Sequence, residues 1–169
     1  TFGKILATDA TSTAQGRWNF QIRTDQFGGS LPRELIVVLR PASSSLVVSS
    51  DFIVEPDTDY YLAASFLPGV EVVFYIQNLT ADTPLQVITV PTTVGALPTT
   101  NTFFVGGLPG FPGSFSVDGV IDEVRLSNTV LSPGELRIAN VNDDVDDDGL
   151  ANNADNCVFV ANDDQRDSN

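Results

Sequence analysis

The stretch that decides the fold is Phe115–Leu136, FSVDGVIDEVRLSNTVLSPGEL. Val120, Val124 and Leu126 fall on alternate positions with Ile121 and Arg125 opposite, a period of two rich in β-branched residues, so the spacing predicts a strand inside a sheet. Ser127-Asn128 and Ser132-Pro133-Gly134 carry turn and helix-start chemistry. Ser132 followed by Glu135 has the form of a capping box, so the predicted strand ends in a short capped turn.

Working outward, the rest of the chain has the same character. Trp18, Phe20 and Ile22 alternate with Asn19, Gln21 and Arg23, which predicts a half-buried strand with its aromatic face inward. Leu35 to Leu39 is a continuous apolar run suited to a buried strand, and Leu46 to Val48 and Phe52 to Val54 read as two short ones. Glu55 to Asp59 is a turn, because Pro56 has no N–H to give a ladder. Tyr60 to Phe66 and Val70 to Ile76 flank Leu67-Pro68-Gly69 as a hairpin. Leu85 to Val90 and Thr102 to Val105 are further strands, and Gly106 to Ser114 is a Gly/Pro-rich loop. Many short strands separated by turn signals predict an all-β antiparallel sandwich.

The order F-x-x-D-G-x-I-D-E-V-R-L-S-N-x-x-L-S-x-x-E-L in Phe115–Leu136 resembles the last strand and exit turn of LamG-like jelly-roll domains, relatives of the concanavalin A-like lectins and glucanases. Asp59 to Phe66, Val72 to Asn78 and Phe103 to Gly107 resemble the family's inner strands more loosely. The resemblance implies a jelly-roll β-sandwich over residues 1–138. It also implies one or two strands ahead of Lys4–Ala7, supplied from upstream or from another chain by strand addition, since without them a sheet edge would stand open.

The chain of 169 residues carries a formal charge of −14 and no histidine. Nucleic-acid binders present clusters of Lys and Arg, so this balance argues against nucleic acid as a partner. No apolar run is long enough for a membrane-crossing helix, so no membrane insertion is expected. The charge is uneven. Asn142 to Asn169 holds nine Asp against Arg166 alone, and this places a boundary at 139–143, a linker.

Beyond that linker, Asp144, Asp146 and Asp148 stand at relative positions one, three and five, Gly149 at six and Asp155 at twelve. A loop curling around calcium offers alternate side chains, a glycine for the sharp turn and then a backbone carbonyl, here that of Leu150, with Asn152 acting through water and Asp155 closing the shell. Calcium is the expected cofactor. Residues 144–169 also resemble a thrombospondin type 3 repeat, with Asp155-Asn156-Cys157 and Asn162-Asp163-Asp164-Gln165-Arg166-Asp167 at the family spacing. The resemblance implies that Asp167 and Asn169 open a second, truncated loop. It also implies that Cys157, the only cysteine, forms a disulfide with a residue outside this chain.

Enzyme chemistry is not expected. The absence of histidine removes Ser-His-Asp and Cys-His arrangements, and Glu55, Asp57 and Asp59, though alternate, sit in a turn. For sugar binding the candidates are Trp18, Tyr60 and Phe111. The combined expectation is a non-catalytic adhesion or assembly module, secreted or displayed at the cell surface, whose partners are other protein chains in a homo-oligomer or fibre. The alternative is a carbohydrate-binding module of a secreted multidomain protein, with a glycan as ligand.

Overall fold

The computed structural model describes residues 3–8, 17–23, 31–41, 45–97, 102–107, 116–132, 135–136, 150, 164 and 166. The described residues are all-β. Eight strands follow in order: β1 (Gly3–Thr8), β2 (Arg17–Ile22), β3 (Glu34–Arg40), β4 (Leu46–Ile53), β5 (Tyr60–Leu67), β6 (Glu71–Asn78), β7 (Gln86–Pro91) and β8 (Phe103–Val105). They form two sheets, one of order β4-β3-β2-β1-β8 and one of order β5-β6-β7. Every strand pair with an assigned register is antiparallel.

The chain divides into two compact units: Thr1–Asp57 with Ala64–Phe74 and Ile88–Leu126, and Thr58–Ala63 with Tyr75–Val87 and Ser127–Asn169. The five-stranded sheet lies wholly in the first.

β3 is the apolar run Leu35–Leu39, and each of these five residues is buried. Burial on both faces is why the sequence shows no alternation there. β2 pairs with it in unbroken register from Arg17 opposite Arg40 to Ile22 opposite Leu35. β6 shows the same logic, with Val72 to Ile76 all buried. β5 and β6 form the expected hairpin; Val70 N–H donates to Leu67 O at 3.0 Å, and Gly69 takes the left-handed conformation (φ 74°) that the turn requires.

Three expectations are corrected. The two short strands expected at Leu46–Val48 and Phe52–Val54 are one strand, β4, which passes through a bulge. Opposite the step from Glu34 to Ile36, the partner strand runs from Ile53 back to Ser49, two residues more, with Asp51 at φ 57°.

The polar side of β2, expected to face solvent, is also buried: Asn19 and Gln21 are each 2% exposed and Arg23 is 5%.

The third correction concerns the opening stretch. Residues 116–132 form no strand. Glu123 sits at φ 54°, a left-handed conformation that no pleated ladder accommodates, and its N–H is held at 2.9 Å by the Asp122 carboxylate. Val120 is consequently 95% exposed and Leu126 58%. The exit turn does form: the Glu135 carboxylate accepts from both the N–H and the hydroxyl of Ser132, each at 2.7 Å.

β1 is an interior strand, with β2 on one side and β8 on the other, Leu6 to Thr8 pairing with Val105 to Phe103.

Candidate functional site

Cross-strand partners in an antiparallel sheet project from the same face. Lys4 lies opposite Gln21, Asn19 opposite Ala7 and Val38, and Arg17 opposite Arg40. One face of β1, β2 and β3 therefore gathers Lys4, Arg17, Asn19, Gln21 and Arg40, with Arg23 following on the same alternation. Four of the chain's eight basic residues share that face. Lys4, Arg17 and Arg23 are at most 9% exposed, and all four bases have interactions of their own. Burial, with the Arg17 and Arg23 charges adding to it, lowers the Lys4 ammonium from 10.5 to about 8. Asn19 Oδ1 is buried without a hydrogen-bond partner.

The opposite end of β3 is built around an acid. Glu34 is 1% exposed. Its carboxylate accepts from Leu31 N–H at 2.5 Å, from Asp51 N–H at 2.8 Å and from the Ser49 hydroxyl. Two of these donors, Ser49 and Asp51, lie at the β4 bulge, and the third, Leu31, lies just ahead of β3. Ser50 completes the arrangement by donating to Leu35 O at 2.5 Å and accepting from Phe52 N–H at 3.1 Å. The three hydrogen bonds that Glu34 accepts all come from neighbouring segments of its own chain, which points to an architectural role.

Of the residues that the sequence nominated, Asp144, Asp146, Asp148, Asn152, Asp155, Asp167, Asn169, Cys157 and Phe111 lie outside the described residues. Leu150, the expected carbonyl donor, is half-buried. Among the described residues no group of three or more His, Cys, Asp or Glu side chains converges on a metal position. Trp18 packs its ring against Phe103, centroids 5.9 Å apart and planes tilted 49°, and its backbone N–H donates to Thr8 Oγ1 at 2.9 Å. Tyr60 is half-buried on β5, in the other sheet.

The basic face and the Glu34 cluster are what sequence reasoning missed. A signal for the first was present: the alternation Arg17, Asn19, Gln21, Arg23 in a chain so acidic. Nothing local marks Glu34, whose partners are set by the β4 register.

Architecture and chemistry together define an all-β protein of two antiparallel sheets. Comparison with protein-family models, with curated proteins and with solved structures gave no match.

Proposed function

We propose that this chain is a non-catalytic adhesion or assembly module of a secreted or surface-displayed protein, a LamG-like jelly-roll sandwich followed by a calcium-binding repeat of the thrombospondin type 3 kind. The observation that carries the reading is the spacing Asp144, Asp146, Asp148, Gly149, Asp155. Its donor set is oxygen throughout: four carboxylates, the Leu150 carbonyl and Asn152. Such a set suits calcium, which takes six to eight oxygens at about 2.3–2.6 Å in a flexible shell, better than magnesium, which keeps several waters in a rigid octahedron. Bound calcium supplies the positive charge that lets these carboxylates lie close together; without it they repel one another and the segment loosens. The two-sheet, antiparallel, all-β architecture supports the first half of the reading. The packing of Trp18 against Phe103 favours assembly over sugar binding, since that ring is already engaged.

Calorimetric titration of the chelator-stripped chain with calcium tests the metal claim. Saturable binding at or below millimolar metal is expected, with the affinity falling at least tenfold in Asp146→Asn/Asp148→Asn. Absence of binding at millimolar calcium would refute it.

A further inference from the structure

The basic face holds an amine and a carboxamide that the sheet register brings together. Lys4 on β1 lies opposite Gln21 on β2, and Ala7 lies opposite Asn19, so Asn19 is a diagonal neighbour of Lys4 across one strand pair. Diagonal neighbours stand about 7–8 Å apart, within reach of a side chain as long as lysine. A second observation places the amine. Arg17 and Arg23 close the two ends of the row Arg17, Asn19, Gln21, Arg23, and the charges of both act on the Lys4 ammonium. The amine therefore sits over the middle of the row, where the two carboxamides are. Lys4 is 5% exposed and Asn19 2%, so water competes poorly as a nucleophile there.

Of the two carboxamides, Asn19 is the one whose carbonyl the fold leaves unsatisfied. Its Oδ1 is buried and accepts no hydrogen bond, a costly state for an acceptor in a dry interior. A lysine amine attacks a carbonyl carbon only when uncharged. Burial, with the Arg17 and Arg23 charges, holds Lys4 at about 8, which keeps a fraction of it as free amine near neutral pH.

We propose that Lys4 and Asn19 condense to an intramolecular isopeptide bond that ties β1 to β2. The Nζ lone pair adds to Cγ of Asn19, and Oδ1 takes the developing negative charge. Arg17, the next residue of the row, is a cation beside that oxygen. The tetrahedral centre then collapses. The Cγ–Nδ2 bond breaks, Nδ2 takes up the proton that Nζ gives away, and ammonia leaves; the product is a secondary amide, with no oxidant or co-reactant consumed. Only the folded sheet aligns the two groups, so the bond forms after folding. It joins two strands of the five-stranded sheet covalently, which suits a module that carries load between chains. The inference stands on the register of β1 and β2 and is independent of the calcium reading.

The test is the intact mass of the freshly purified full chain, in which Lys4 is still a titrating amine, followed as the chain is held at pH 9. A species one ammonia lighter than the sequence is expected to accumulate. Trypsin cuts after Arg17 and Arg23, so in that species the peptide ending at Arg17 stays attached to the peptide Trp18–Arg23. Fragmentation is expected to place the branch between Lys4 and Asn19. Lys4→Met and Asn19→Ala are each expected to keep their full mass under the same conditions, with circular dichroism showing that they fold. A folded parent that keeps its full mass would overturn the proposal. So would an ammonia loss that persists in Lys4→Met, or a branch mapped to Gln21.

Discussion

Glu34→Ala is expected to lower the stability of the five-stranded unit by about 3–5 kcal/mol, roughly 10 °C in melting temperature for a chain of this size. The reasoning is one of unpaired donors. Glu34 is 1% exposed and receives the N–H groups of Leu31 and Asp51 and the Ser49 hydroxyl. Hydrogen bonds to a charged acceptor are individually worth about 1.5–3 kcal/mol, but they share one carboxylate and do not add in full. Removal also frees Asp51 from the left-handed conformation (φ 57°) that the contact maintains, so the β4 bulge loses its reason to sit where it does. Glu34→Gln, which keeps one acceptor oxygen, is expected to fall between the two. Melting by circular dichroism checks this; an alanine variant that melts within a degree or two of the parent would show that the bulge is held by something else.

The second large effect is an increase of stability with pH. The Lys4 ammonium has a folded value of about 8 against 10.5 when unfolded, because burial and the neighbouring Arg17 and Arg23 charges disfavour the cation. Below pH 8 the lysine is charged in both states, and the folded state carries the whole penalty. Between about pH 8 and 10.5 the unfolded chain binds more protons than the folded one, so unfolding free energy rises with pH across that window. The full difference of 2.5 between the two values corresponds to about 3 kcal/mol at most. Denaturant unfolding at pH 7, 8, 9 and 10 should show the rise in the parent and its loss in Lys4→Met, the variant starting out more stable at pH 7. A parent whose stability is flat over this range would contradict the placement of Lys4 beside two guanidinium groups in a dry environment.

Both effects arise where long-range pairing overrides local pattern, and this divides what was legible in the sequence from what was not. β3 and β6 could be read because an unbroken apolar run has few other uses, and the β5–β6 hairpin because Leu67-Pro68-Gly69 supplies a turn of fixed chemistry. β7 and β8 appeared within a residue or so of their observed ends. β4 appeared as two strands because Asp51 reads as a breaker, and only Glu34, 17 residues away, converts the break into a bulge. The polar side of β2 reads as solvated because alternation shows which residues share a face and says nothing of what covers it. Val120 to Leu126 failed in the opposite sense: its periodicity is that of a strand, yet Asp122 and Glu123 form a local turn that ends any ladder. For the candidate site, the calcium spacing is a property of sequence alone. The basic face needed the sheet register to become visible.

One measurement addresses the central claim of a calcium-stiffened assembly module most directly: the solution mass of the full chain by light scattering, in millimolar calcium and again after addition of a chelator. The account expects a mass at least twice that of the 18.1 kDa chain in calcium, with a looser, larger hydrodynamic radius per chain once the metal is removed. A compact monomer of identical mass and radius in both conditions would contradict it.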